Sequence, residues 1–128
     1  MNILLVDDNS RSREAVGQVL SYLGHCIIQC SDGREACQML EHIDCDLVIT
    51  DYDMPRMTGL ELLRQMHAQG KDRTEVVVLT GNQQASVMNQ VMDEGALAYL
   101  LKPINLDQLL KVLRDVGNRN TITLHPAR

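Results

Sequence analysis

Four places along this chain set a polar residue directly after an apolar run. Asp7 and Asp8 follow Ile3-Leu4-Leu5-Val6, Asp51 follows Leu47-Val48-Ile49-Thr50, Thr80 follows Val76-Val77-Val78-Leu79, and Lys102 follows Tyr99-Leu100-Leu101. Asp51 is in turn followed by Tyr52, a second acid Asp53, Met54 and Pro55. Carboxylates brought within about 4 Å repel by roughly 4 kcal/mol per pair at an effective dielectric of about 20, so a cluster of them needs a cation or a raised pKa. Oxygen donors alone select a hard ion. Mg2+, which keeps several of its waters and takes one or two carboxylates with phosphate oxygens, suits a small open acidic pocket better than Ca2+ does. An aspartate so placed can act as a nucleophile toward phosphorus, because carboxylates form acyl phosphates and a metal neutralises the approaching oxygens. The Thr80 hydroxyl and the Lys102 ammonium could receive the other phosphoryl oxygens, the positioning and charge stabilisation that phosphoryl transfer needs.

These residues can cooperate only if the chain delivers them to one place. Residues 2–6 read as a short buried strand, and residues 10–23 as a helix with Ala15, Val16, Val19, Leu20 and Leu23 on one stripe, closed by Gly24. Strands are predicted over 26–30 and 46–50, with a helix over 32–43 between them bearing Ala36, Met39, Leu40 and Ile43 inward. Thr58 can cap a third helix with Leu60, Leu62, Leu63 and Met66 inward, and residues 75–80 form the most β-branched strand. A fourth helix has the stripe Val87, Met88, Val91 and Met92 and ends at Gly95. A strand over 97–101 follows, then a last helix carrying Leu106, Leu109, Leu110, Leu113 and Val116 and ending at Gly117. Five nearly continuous apolar strands alternating with five helices predict an α/β fold, a doubly wound parallel sheet covered on both faces. Right-handed crossovers leave few topologies. In such sheets ligands bind beyond the carboxyl ends of the strands, where every polar residue named above falls.

At 128 residues the chain fits one domain, expected over 1–117, with the polar segment 118–128 as a tail or the start of a linker. The 12 Lys and Arg against 17 Asp and Glu give a net charge of −5 with no basic stripe, which argues against direct nucleic-acid binding by this chain. Phe and Trp are absent, so base-stacking platforms are missing and the core must be aliphatic. Cys26, Cys30, Cys37 and Cys45 show no C-x-x-C spacing and follow no secretory segment, the usage of reduced thiols in a cytoplasmic protein. No apolar stretch approaches the ~20 residues of a membrane span. His25, His42, His67 and His125 are scattered away from the acid clusters and read as structural or solvated. Met88 and Met92 read as core, or, if exposed, as an adaptable partner surface.

In this order and register, Val6-Asp7-Asp8, Asp51-Tyr52-Asp53-Met54-Pro55 with Gly59, Leu79-Thr80-Gly81 and Tyr99-Leu100-Leu101-Lys102-Pro103 resemble the receiver domain of two-component response regulators, such as the bacterial chemotaxis regulator. The resemblance spans residue 2 to about residue 117 and implies a flavodoxin-like (βα)5 fold with strand order 2-1-3-4-5. It implies that Asp51 accepts a phosphoryl group from a sensor histidine kinase or a phosphotransfer protein. It also implies Mg2+, with Mn2+ as a substitute, held by the side chains of Asp8 and Asp51, the backbone carbonyl of Asp53 and, through water, Asp7. Thr80 would hydrogen-bond the phosphoryl group, Lys102 would pair with it, Tyr99 would turn inward, and Pro103 would follow a cis peptide bond. Output would lie on the surface of the fourth helix, fifth strand and fifth helix, toward an effector protein or domain or a phosphorylation-dependent homodimer. Such a domain is no turnover enzyme: it promotes only its own phosphorylation and slow dephosphorylation. Two positions depart from the family pattern. Ile104 stands where many relatives carry an aromatic, and Gly81 follows Thr80 where Ala or Ser is common.

Each residue alone has an ordinary reading: Asp7-Asp8 as a turn or cap, Lys102 as a solvated charge, Thr80 as a strand residue bonded to backbone, Tyr99 as core. Their joint occurrence favours chemistry. Asp51-Tyr52-Asp53 also reads as the D-x-D of a haloacid-dehalogenase-like phosphatase, although Asp7-Asp8 then precedes it and a large cap is lacking. A docking module that is never phosphorylated is the third reading.

Overall fold

The computed structural model describes residues 1–81 and 84–124, without the side chains of residues 119–124. Its elements run β1 (Asn2–Val6), α1 (Ser10–Tyr22), β2 (Cys26–Cys30), α2 (Gly33–His42), β3 (Leu47–Asp51), α3 (Gly59–Ala68), β4 (Glu75–Thr80), α4 (Ala85–Asp93), β5 (Ala98–Leu101) and α5 (Leu106–Leu124). The strands pair in parallel in the order β2-β1-β3-β4-β5, the doubly wound arrangement the alternation predicts. Side chains alternate across the pleat and split the core in two. Leu4, Val6, Val48 and Val78 pack with Leu40, Leu62 and Val91 under α2, α3 and α4. Ile3, Leu5, Ile49 and Val77 pack with Leu20, Leu109 and Val116 under α1 and α5. β3, central in the sheet, is buried along its whole length.

Local chemistry starts the helices where the sheet needs them. Asn9 and Asp32 accept the amides of Ser12 and Glu35, and Thr58 forms a full capping box with Glu61. Asp32 and Ile43 therefore flank α2 as caps rather than lying within it.

Several expectations need correcting. α1 buries Gly17 and Leu20, while Ala15 is exposed and Val19 and Leu23 are each 39% exposed. α1 comes close to β2 at its glycine, where a Cβ would lie 2.9 Å from Gln29 Nε2. α4 buries only Val91, leaving Met88 and Met92 exposed. Val112 is buried in α5 while Leu106 is 53% exposed. α5 also continues through Gly117 to Leu124. Gly24 and Gly95 end helices because they take φ of +93° and +102°, whereas Gly117 is not among the positive-φ glycines. A helical glycine costs only about 1 kcal/mol relative to alanine. β3 spans Leu47–Asp51, so Asp51 is the last residue of the strand and not the first beyond it. His125 and Pro126 lie outside the described residues. Among those described, all four cysteines are free thiols and no helix is long and apolar enough to cross a membrane.

Candidate functional site

The ends of β1, β3, β4 and β5 deliver Asp7, Asp51, Thr80 and Lys102 to one edge of the sheet. Register does the positioning: Val6 pairs with Thr50, Asp51 with Leu79 and Thr80 with Leu101. Past the strands the ladder continues, with Tyr52 N–H donating to Leu79 O at 2.7 Å and Lys102 N–H to Thr80 O at 2.8 Å. The Lys102–Pro103 peptide is cis.

One carboxylate oxygen from each of Asp7, Asp8 and Asp51 lies within 4.8 Å of the others. Asp7 and Asp51 are only 3% and 6% exposed, whereas Asp8 faces solvent, so the cluster is rooted in the protein and open on one side. Lys102 Nζ reaches Asp51 Oδ2 at 3.1 Å and Asp7 Oδ2 at 3.7 Å. Burial pushes the Asp51 carboxyl above its ordinary value; the hydrogen bond and charge of Lys102 oppose this, while Asp7 and Asp8 add to it. A single ammonium beside three carboxylates leaves an excess of negative charge. A hard divalent cation bound through oxygen fits that donor set. Thr80 is fully buried beside this group in sequence register, and Tyr99 is half-buried against the core under α2, α3 and α4. Asp53 is exposed and lies outside the carboxylate group.

The loop after β1 is held by Arg13, a residue outside every motif in the sequence. Arg13 Nη1 donates to the Asp7 carbonyl at 2.7 Å and Nε to Gln29 Oε1 at 3.1 Å, while Asn9 N–H donates to Asp7 Oδ1 at 2.9 Å. Its only signal was a cation one turn into α1, and surface arginines have that in abundance. Gly59 was noted as a motif residue, and the structure supplies its reason. A Cβ there would stand 2.8 Å from the Asp51 carbonyl and 3.1 Å from Tyr52 Cα, both backbone atoms that cannot yield cheaply. Gly59→Ala is therefore expected to lift α3 off the end of β3 and cost about 1–3 kcal/mol in urea denaturation, the usual penalty for overpacking.

The family model for the response regulator receiver domain matches residues 3–114. This chain belongs to the response regulator receiver family. It is 37% identical over 121 residues to the response regulator MprA of Mycolicibacterium vanbaalenii, covering 94% of this chain and 52% of that protein. It is 38% identical over 119 residues to MprA of Mycobacterium leprae, again 52% of that protein. The chain thus spans about half the length of the curated relatives it matches. Among solved structures, a receiver domain protein from Clostridium thermocellum superposes with a TM-score of 0.87 at 28% identity, covering 95% of this chain and 98% of that one. The chemotaxis regulator CheY4 of Vibrio cholerae superposes with a TM-score of 0.82 at 32% identity, covering 90% and 97%. As a receiver domain of two-component systems, residues 3–114 form a signalling domain. Receiver domains bind Mg2+ at an acidic cluster, and Asp7, Asp8 and Asp51 form such a group here. The phosphatase reading is not favoured: its second acid would be Asp53, which stands apart.

Proposed function

We propose that this receiver takes a phosphoryl group onto Asp51 from the phosphohistidine of a sensor kinase or phosphotransfer protein. The observation that carries this is the juxtaposition of buried Asp51, the carboxylates of Asp7 and Asp8 within 4.8 Å, and Lys102 at 3.1 Å. In the transfer the donor's N–P bond breaks, an Asp51 Oδ–P bond forms, and the departing imidazole takes up a proton. Asp8 and Asp51 would hold Mg2+ through their side chains, Asp53 through its backbone carbonyl and Asp7 through water, and the ion would supply positive charge for the oxygens of the entering group. Mn2+ would suit the same donors. Lys102 releases Asp51 to pair with the phosphoryl oxygens, and the Thr80 hydroxyl donates to one of them.

Drawing Thr80 toward the new dianion repacks the connection from β4 to α4, in which residues 82–83 lie outside the described residues, and Tyr99 turns inward. The α4-β5-α5 surface, with Met88 and Met92 exposed, then meets an effector or a second copy of the chain. We take residues 1–117 as the receiver unit and 118–128 as a tail or the start of a linker, in a cytoplasmic protein without direct nucleic-acid contacts by this chain. Incubation with acetyl phosphate and Mg2+ should add one phosphoryl group by intact mass. If neither acetyl phosphate nor beryllium fluoride engages the wild-type protein, the phosphoacceptor reading fails and the docking-module reading takes its place.

The proposal extends to the donor's seat. A groove of about 660 Å³ between α1 and α5 is lined by Ala15, Val19, Ile104 and Leu106 and reaches Asp7 and Lys102. A donor protein presenting its phosphohistidine to Asp51 covers this apolar strip. Val19→Asp is expected to slow transfer from a phosphodonor protein about tenfold, as loss of a central apolar contact does, with acetyl phosphate labelling unchanged.

A further inference from the structure

We infer that His67 is held as an imidazolium that clamps the end of α4 to the end of α3, making this corner of the domain a proton-dependent joint. His67 lies in the last turn of α3. Its Nδ1 stands 2.5 Å from Asp72 Oδ1, in the turn before β4, and its Nε2 2.6 Å from the backbone carbonyl of Glu94, the C-cap residue of α4. An ionised carboxylate and a carbonyl can only accept, so both ring nitrogens must donate. Neutral imidazole carries one N–H and leaves one of these short contacts as lone pair against lone pair. Only the protonated ring satisfies both.

The surroundings agree. The ring lies at the carboxyl ends of two helices, where unsatisfied carbonyls favour a cation. The groups facing it are Asp72 from the turn, Glu94 from α4, whose Oε2 is 4.0 Å from Nε2, and Arg64 from its own helix. Arg64 pairs with the same Glu94, with Nε 2.8 Å from Oε1, so that carboxylate is shared between Arg64 and the ring, and Asp72 is the acid held, among the described residues, by His67 alone. The hydrogen bond to Asp72 and then that to the Glu94 carbonyl hold the His67 pKa above its ordinary value, against a smaller effect of burial. A histidine expected to be structural or solvated is therefore bracketed by acids that the fold brings from two other elements.

Because the folded state raises this pKa, the stabilisation is complete below the ordinary value of 6.5 and is lost as pH rises through the raised one. Above that, the neutral ring can donate only one hydrogen bond, so the joint between the ends of α3 and α4 loosens while the Arg64–Glu94 pair still spans it. The test is NMR on the whole unphosphorylated chain, reading the ring nitrogens of His67 from pH about 5 to about 9. Both nitrogens should be protonated at the ordinary histidine midpoint and lose a proton only above it, and Asp72→Asn should move the midpoint down. Over the same range the hydrogen-exchange protection of the Gly95 and Ala96 amides, bonded to Met92 and Val91, should fall roughly threefold to tenfold, the worth of one hydrogen bond. His67→Gln should abolish that pH dependence. A ring that titrates at or below the ordinary value, or amide protection indifferent to its titration, overturns the clamp. Neither readout depends on Asp51 being phosphorylated.

Discussion

Asp51→Asn is expected to abolish phosphoryl capture and, in a chelator, to make the protein more stable. The first effect is chemical. An amide is a poor nucleophile toward phosphorus, so acetyl phosphate should add no mass to the variant. The second follows from the surroundings of the carboxylate. Burial and the neighbouring acids lift the Asp51 pKa despite Lys102, so the folded state binds this proton more tightly than the unfolded chain does. Ionisation therefore weakens the fold, increasingly as pH rises from the ordinary value of 3.8 through the raised one. The gain in denaturation midpoint on removing the charge should be full at neutral pH and vanish below about pH 3.8. Mg2+ should reverse the ranking. The wild type gains about 2.7 kcal/mol at an ion concentration 100 times Kd, while the variant, with one carboxylate fewer, gains less. Thermal scans with and without Mg2+ across pH check this. A variant that is less stable than the wild type in chelator at neutral pH would show that Lys102 outweighs burial.

Lys102→Met tests the other half of the charge balance. The ammonium is the cation Asp51 and Asp7 share at 3.1 and 3.7 Å, and on the proposed reaction it moves to the incoming phosphoryl group. Loss of one such group from a transition state typically costs about 10²–10³ in rate, which the time course of acetyl phosphate labelling would show. Stability without metal should fall by about 1–2 kcal/mol, less than for a fully buried pair because the lysine side chain keeps 30% of its exposure. Mg2+ should bind more tightly, since a competing cation has gone; calorimetric titration measures this. Labelling at the wild-type rate would remove Lys102 from the reaction.

Much of this architecture was legible because the signals are local. Short uninterrupted apolar runs mark parallel strands, and β1, β2 and β4 begin and end where the pattern places them. Thr58 and Glu61 announce α3. The site's principal residues were legible for the same reason: in a doubly wound sheet, a strand's last residue is already at the ligand edge. Apolar helix stripes were less reliable, because periodicity gives a face without saying how the helix is seated. Val19, Leu23, Met88 and Leu106 belong to good stripes and remain exposed. Gly117 resembled a stop because glycine is permissive; only its actual backbone conformation shows that the helix passes through it.

The sequence by itself determined the sheet, its order through the family resemblance, and the delivery of Asp7, Asp8, Asp51, Thr80 and Lys102 to one edge. Contacts between segments far apart in the chain needed the tertiary structure: Lys102 against Asp51 and Asp7, Arg13 on the Asp7 carbonyl, and His67 between Asp72 and Glu94. Their strength depends on tenths of an ångström and on burial, which spacing along a chain does not encode. A residue's protonation and pairing are set by what the fold brings to it from elsewhere.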